Sequence, residues 1–471
     1  MASTTVLLPA AVAASRRLMS IVVAFVIPLL FGVVTVAAAG GATYGHMSIG
    51  RRDAVSSFGH HGGLTTASPS VAPNASFLAA HFTGYAAARR GPTPTDVLWQ
   101  QGFGSMDARG RSPMPLNPRY PIASNSKLIT AVALYQLQER GLVNLELPVQ
   151  LYLTAADMAA FGQPGKSNWC PQVRGSNDTT CRNVTFVQLM EMQAGIPNRG
   201  LMQAFYPYPG SIGAVFSYYV DEPLVSEPGT RYYYSNPAFI LCGYFIEKFS
   251  GMRLADYYSR YIFDVVGMSD TYFDVFNGQL SYDPLRIDEF NTFVDPVSGF
   301  AAQGACTSEA DLGFAGAAGG IMGTPLDEAK LYYALFNFSD AAMGKPLLQD
   351  PRSLLAIVKP RTPLIPGIYY GQGLYVEAAN AHVAIPTLVM YEGDMACPRT
   401  SNYFAVEPPS SNTVPLMTQA WSSGVTYFVP QAEWMAATGR QLGVVMDIVT
   451  NWTRREGNNA LAMGLMKAFQ N

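Results

Sequence analysis

The stretches of this chain that read as β-strand lie near its two ends, and most that read as helix lie between them. Near the front, F-L-A-A-H-F-T-G-Y-A and V-L-W-Q-Q-G-F-G flank the turn-rich R-R-G-P-T-P-T-D, the pattern of a hairpin. Near the back, Y-G-Q-G-L-Y-V-E, I-P-T-L-V-M-Y-E-G, G-V-T-Y-F-V-P and L-G-V-V-M-D-I-V-T-N are β-rich and parted by turn residues, and Ala460 to Phe469 reads as a closing helix. Such an order predicts an α/β (α+β) class: one antiparallel sheet built from both termini, flanked by helices, with an inserted, mainly helical lobe over roughly 150–305. A chain of 471 residues that is 49% hydrophobic can bury the core this requires.

The helical stretches carry their own stop and start signals. Tyr120 to Tyr135 reads Y-P-I-A-S-N-S-K-L-I-T-A-V-A-L-Y, an extended approach and then a helix running to about Arg140, where Gly141 ends it. The next segment, L-V-N-L-E-L-P-V-Q-L-Y-L, reads as an extended connection. Val184 to Ala194 reads as a helix with Thr185 as N-cap, closed by Gly195 and Pro197. Another helix enters at Pro237, at the favoured first position, with Asn236 before it as a candidate cap. A glycine-rich approach from Gly316 leads to a helix capped by Thr324, with Asp327 and Glu328 in its first turn.

Ser124 and Lys127 mark the chemistry. Positions three apart at a helix start are neighbours, so the amine can reach the hydroxyl while the helix N-terminus supplies free N–H groups. A serine cap followed by a solvated lysine is the bland reading of the same residues. The chain has only seven lysines among its 30 basic residues, however, and a cation in a first helical turn opposes the helix dipole.

The front of the chain points to export. Arg16 and Arg17 precede an uncharged run from Leu18 to Ala39, about 33 Å long as a helix and enough for a hydrocarbon core. Residues 1–41 are therefore a cleaved signal peptide, with Ala37-Ala38-Ala39 at the cut, or an uncleaved signal anchor held by the positive-inside rule. The length of the run favours the anchor. The Gly-, Ser- and His-containing stretch 42–75 reads as a linker, and 76–471 as the folded domain.

Both readings of the front place the domain outside the cytoplasm, secreted or membrane-anchored. Sequons at Asn74, Asn177, Asn183, Asn337 and Asn451 agree with that. So does an expected Cys170–Cys181 disulfide across a polar loop without apolar periodicity. Cys306 and Cys397 are candidates for a second bridge, and Cys242, in an apolar helix, reads as a buried thiol. A net charge of −3 with 13% charged residues leaves no basic footprint for nucleic acid. The oligomeric state is not readable.

Taken together, I-A-S-N-S-K, P-G-T-R with Tyr234-Ser235-Asn236, G-A-A-G-G-I-M-G-T-P-L-D-E-A, Y-G-Q-G-L-Y and V-V-M-D-I-V-T-N resemble the serine β-lactamase and penicillin-binding family. The resemblance is to its class C, esterase and D-peptidase branch, and it spans nearly everything after the linker. It implies a β-lactamase/transpeptidase-like fold, no metal or other cofactor, and an acyl-enzyme on Ser124 with Lys127 and Tyr234 as activating groups and Asn236 as a substrate-binding residue. The substrate would be a small ester, amide or D-peptide-like molecule.

A third motif, Lys or His then any residue then Gly, is expected on the strand beside the nucleophile. Tyr391-Glu392-Gly393 is the better match, with Tyr391 and Gly393 in binding roles, and the stretch Trp421 to Gly424 is its rival. The ending Met190-Glu191-Met192-Gln193-Ala194-Gly195 departs from the family's His-Thr-Ser-Gly.

On the residues alone the base remains open. Lys127 serves if burial lowers its pKa, whereas Tyr234 serves if the cation of Lys127 holds it as phenolate. Other chemistries find no support. Ala160 to Ser167 matches a relaxed phosphate-loop pattern but contains Pro164 and runs into the Cys170 loop, and neither G-x-S-x-G nor H-E-x-x-H occurs. The rival reading is a catalytically impaired surface protein that binds a ligand or partner through the same cleft.

Overall fold

The computed structural model describes residues 83–89, 97–103, 106, 112–198, 210–273, 289–294, 301–306, 315–336, 347–378, 388–395, 422–428 and 445–452. The apolar run at 18–39, the sequons at Asn74 and Asn337, Cys397 with its proposed bridge, and the closing helix at 460–469 lie outside them. Among the described residues no helix is long and apolar enough to cross a membrane.

The early strands are β1 (Thr83–Arg89), β2 (Val97–Phe103), β3 (Tyr120–Pro121), β4 (Tyr272–Phe273), β5 (Glu289–Val294), β6 (Ala301–Cys306) and β7 (Ile321–Gly323). The later ones are β8 (Thr362–Ile365), β9 (Ile368–Tyr370), β10 (Tyr375–Glu377), β11 (Leu388–Met395), β12 (Ser422–Phe428) and β13 (Val445–Trp452). Eight of them form one sheet in the order β2-β1-β13-β12-β11-β10-β9-β8. Its two ends of sequence meet where β1 pairs antiparallel with β13, Tyr85 opposite Val449 and Ala87 opposite Asp447. The sheet expected from both termini is thus the one observed. It is joined by a small sheet, β3-β7-β4, and by the hairpin β5-β6.

The strands that sequence pattern missed have a physical reason to be hard to read. β8 carries Pro363, which argues against a strand, yet β8 is the last strand of the sheet, where a missing N–H can face outward. It turns into β9 through Gly367, whose φ of +85° suits glycine.

Other elements differ in extent. The helix expected from Val184 to Ala194 is only Phe186–Met190, opened by a capping box between Thr185 and Gln188. It cannot continue because Met192 takes a left-handed φ of +58°. The connection read as extended is instead turns and a 3-10 segment, Val149–Tyr152, tied down by Val149 N–H to the Val184 carbonyl. The helix expected to enter at Pro237 begins at Asn236, and Ser235 rather than Asn236 caps it, accepting from Ala238 N–H at 3.2 Å.

The helix Ser126–Glu139 runs through the middle of the core and is buried from Ser126 to Leu137 on every face. A helix surrounded on all sides favours polar side chains that find partners in place, although the buried Ser126 Oγ has none. Thr130 accordingly donates to the Ala317 carbonyl, and Gln136 donates to the carbonyls of Tyr261 and Leu347.

Cys170 and Cys181 form the expected disulfide, with Cα atoms 4.6 Å apart. Asn177 lies exposed inside that loop and Asn183 exposed just beyond it. Cys242 is a buried free thiol, its pKa pushed up by burial.

Candidate active site

β3 leads into a 3-10 turn, Ala123–Asn125, which hands the chain to the buried helix. The turn is held from behind by the small sheet: Tyr120 pairs with Gly323, Pro121 with Met322, and Ile122 N–H donates to the Ile321 carbonyl at 3.0 Å. Ala123 sits at φ +47°, a left-handed conformation that costs a residue bearing Cβ about 1–3 kcal/mol and persists only where its surroundings impose it. The strained residue immediately precedes Ser124, which is half-buried at the turn's surface.

Lys127 lies in the first turn of the helix and is fully buried. Its Nζ donates to Ser124 Oγ at 2.9 Å and to the Ala318 carbonyl at 2.6 Å. It also lies over the rings of Tyr234, 5.0 Å from the centroid, and Phe239, at 5.7 Å. Water is excluded, so burial holds the Lys127 pKa well below the usual lysine value.

Tyr234 approaches from the other side, its hydroxyl 2.6 Å from Ser124 Oγ. The loop after Phe186–Met190 positions it. Tyr233 N–H donates to the Met192 carbonyl at 2.7 Å, Ser235 N–H to the Met192 thioether at 3.2 Å, and Asn236 N–H to Asn198 Oδ1 at 3.1 Å. Met192, in the left-handed conformation that ends its helix, is therefore the seat of the tyrosine turn, and Met-Gln-Ala-Gly fills the place of the family's His-Thr-Ser-Gly. Asn236 opens its helix half-buried. The Lys127 amine bonds to Ser124 and Ala318, not to Asn236.

The Ser124 turn packs against β11 and also touches β12. Tyr391 and Gly393 are on β11. The rival stretch ending at Gly424 falls on the neighbouring strand, with Gly424 directly opposite Gly393. β10 pairs with β11 only as far as Met390, so the Tyr391–Met395 portion runs past the end of that neighbour.

Tyr391 is only 1% exposed and its hydroxyl meets that of Tyr370 at 3.0 Å. Tyr375 stacks on it with ring centroids 5.3 Å apart. Burial keeps both Tyr370 and Tyr391 protonated, and the nearby Tyr234 oxygen, when ionised, pushes the same way. A neutral tyrosine cluster therefore surrounds the position that the sequence matched to the third motif.

Sequence reasoning missed the backbone parts of the site. The Ala318 carbonyl comes from the glycine-rich stretch Gly316–Gly319, read before only as framework. Gly373, in Y-G-Q-G-L-Y, has φ +81° and packs so closely on the helix that an added Cβ would lie 2.7 Å from the Lys127 carbonyl oxygen. Its N–H donates to the Met190 carbonyl, which joins the sheet, the nucleophile's helix and the loop bearing Met192 at one point. Glycine spacing was the available signal, but not what it would touch. Among the described residues no cluster of His, Cys, Asp and Glu is arranged to hold a metal.

Comparison with known proteins agrees with this geometry. A family model described as Beta-lactamase matches residues 93–451. Penicillin-binding protein 4* of Bacillus subtilis is 28% identical over 202 residues, 41% of this chain and 38% of that protein. Putative beta-lactamase-like 1 of Homo sapiens is 27% identical over 284 residues, 58% of this chain and 49% of that protein. The chain thus matches half or less of the length of these relatives. The crystal structure of D-amino acid amidase from Ochrobactrum anthropi SV3, complexed with D-phenylalanine, superposes with a TM-score of 0.55 at 17% identity, covering 84% of this chain and 96% of that one.

The contact at Gly373 gives a direct test. Gly373→Ala should destabilise the protein by about 2–4 kcal/mol through overpacking and left-handed strain, read as a lower urea midpoint at unchanged m. A midpoint equal to the parent's would show that the close approach to Lys127 is not a constraint.

Proposed function

The chain belongs to the beta-lactamase family, and on that footing we propose that it is an exported serine hydrolase working through an acyl-enzyme on Ser124. The observation that carries this reading is that Ser124 Oγ lies within hydrogen-bonding distance of both Lys127 Nζ and Tyr234 OH. A serine hydroxyl is a weak nucleophile until a neighbouring group takes its proton.

Lys127 is the better base. Burial favours its neutral amine, and its hydrogen-bonding partners are a hydroxyl and a carbonyl. A Tyr234 phenolate would need Lys127 as its cation, the form that burial disfavours, and the neighbouring Tyr370 and Tyr391 are neutral phenols that cannot replace it. As Ser124 Oγ bonds to the carbonyl carbon, its proton passes to Lys127 Nζ. The oxyanion accepts from Ser124 N–H and from the backbone N–H following Gly393. Collapse breaks the bond to the leaving group, which takes its proton from Lys127 through the Tyr234 hydroxyl. Water then attacks the acyl carbonyl and gives a proton to the same pair; the bond from Ser124 Oγ to the acyl carbon breaks, Ser124 Oγ takes that proton back, and the acid leaves. Asn236, at the half-buried start of its helix, would hold the substrate carbonyl.

A lysine base gives a pH dependence of definite sign. Because the Lys127 pKa is lowered, the competent neutral form is lost as pH falls through that lowered value. The acidic limb of kcat/KM should therefore lie well below the ordinary lysine range. Lys127→Arg, which cannot release its proton, should lower kcat by about 10²–10⁴-fold. A fluorophosphonate should label the parent and not Ser124→Ala. Folded parent protein that resists the probe would favour the binding-protein reading, and labelling that persists in Ser124→Ala would move the nucleophile elsewhere.

The substrate class follows from the missing cation. A carboxylate on the substrate is normally met by a charged donor, and the phenol of Tyr391 supplies no charge. Uncharged short esters or amides are the expected substrates, in keeping with the amidase named among the structural neighbours. Nitrophenyl butyrate should be turned over faster than benzylpenicillin, and the opposite order would refute this selectivity.

Export is supported by the apolar run at 18–39, the Cys170–Cys181 disulfide and the exposed sequons at Asn177 and Asn183. Expressed in a secretory eukaryotic host, the protein should lose mass on treatment with an N-glycosidase, and less in Asn177→Gln with Asn183→Gln. A product with reduced cysteines and no such shift would count against export.

A further inference from the structure

The Ser124 turn is gripped by one buried carboxylate that no catalytic role requires. Glu328, 1% exposed, stands in the first turn of the helix Pro325–Phe336. One of its oxygens accepts from the Tyr120 hydroxyl, and the other accepts from Asn125 Nδ2 at 2.7 Å. Tyr120 lies four residues before Ser124 and Asn125 immediately follows it, so the two contacts fall on either side of the left-handed Ala123.

Asn125 shows that this is not ordinary helix chemistry. It precedes Ser126–Glu139 in helical backbone, φ −59° and ψ −23°, continuing the 3-10 turn, so its side chain is not placed to cap the helix. Here it makes no capping bond. Its amide nitrogen turns to Glu328, while its buried Oδ1 has no hydrogen-bond partner. Its side-chain bond goes instead to a carboxylate more than 200 residues further along the chain.

We propose that Glu328 is a positioning residue: through Asn125 and Tyr120 it holds the strained turn that keeps Ser124 Oγ between Lys127 and Tyr234. This rests on the hydrolase reading above. A carboxylate suits the task because it only accepts, and so can take one donor on each oxygen. A glutamine there turns an NH₂ toward one of the two donors and loses a contact. Aspartate keeps both acceptors but is one methylene short. With the grip gone, Ala123 relaxes toward an ordinary φ and Ser124 moves with it. The loss falls on proton transfer and attack, which need alignment, more than on the binding of substrate by the rest of the cleft.

The test compares the parent with Glu328→Gln, Glu328→Asp, Asn125→Ala, Tyr120→Phe and the double variant Glu328→Gln with Asn125→Ala. Each is assayed for its rate of fluorophosphonate labelling at Ser124, for kcat and KM on a neutral nitrophenyl ester, and for thermal unfolding. Glu328→Gln and Asn125→Ala should each slow labelling and kcat about 10- to 100-fold, with KM changed less than about threefold. The double variant should be little worse than the slower single, because both remove the same contact. Glu328→Asp should recover part of the rate, and the acidic limb of the pH profile should stay where Lys127 sets it.

Folded Glu328→Gln and Asn125→Ala labelled at the parental rate would overturn the proposal. So would rate losses that match the unfolded fraction alone. Should Glu328→Gln fail to fold, the milder Asn125→Ala and Tyr120→Phe decide by the same measurements. A parent that is never labelled at Ser124 defeats the hydrolase reading and this proposal together, whereas a labelled parent with unaffected variants defeats this proposal alone.

Discussion

The structure turns on an amine kept where an ammonium is unfavourable. Lys127 is wrapped by its own helix, by the rings of Tyr234 and Phe239, and by the Ala318 carbonyl, with only Ser124 Oγ on its open side. Isolating a cation at such a place costs several kcal/mol, and a lysine escapes most of that cost by giving up its proton. Packing alone thus favours the neutral amine at Lys127. Everything that seals the pocket contributes to the chemistry.

The seal requires parts from distant segments. The helix bearing Lys127 is closed by Gly373 on the sheet side, by the stretch Ala317–Ala318 near its start, and by the helix Asn236–Ser250 that carries Phe239. The loop at Met192 reaches both Gly373 and the tyrosine turn, so the sheet and the helical lobe are coupled through backbone contacts beside the nucleophile. A second tie runs through Glu191, which accepts from Gln372 at 3.1 Å and pairs with Arg361. Burial raises the Glu191 pKa against the opposing pull of Arg361. With two lobes anchored this way, Ser124 and Tyr234 meet across 110 positions of sequence.

Much of this was legible because the signals were local or periodic. Strands at both ends predicted the sheet, Thr185 and Thr324 announced their helices, and the spacing of Ser124 and Lys127 follows from helix geometry. What was not legible depended on contacts with no local trace. Pro363 disguised β8 because nothing in its neighbourhood says that it will be an edge strand. Asn236 looked like a cap because asparagine caps well, yet Ser235 before it offers the same acceptor and took the position. The partner of Asn125 could not be guessed from either end, since Glu328 reads on its own helix as a first-turn acid that favours the dipole.

The tyrosine in place of the expected cation is more than a missing charge. Tyr391 does not stand alone: Tyr370 and Tyr375 pack on its ring, and Tyr232 packs on Tyr370, extending the aromatic layer. A lysine substituted at Tyr391 would be buried among neutral rings and would tend to lose its proton, as Lys127 does, so restoring the residue type would not restore the family's positive field. The phenol and the layer around it belong together, and they leave Lys127 as the one group near Ser124 whose protonation state burial sets to suit proton abstraction. On the proposed mechanism the weight of proton transfer thus falls on the amine, and recognition on the backbone of β11 and the turn at Asn236. A cleft organised in the proposed way would select for a carbonyl it can polarise rather than for an anion it can neutralise.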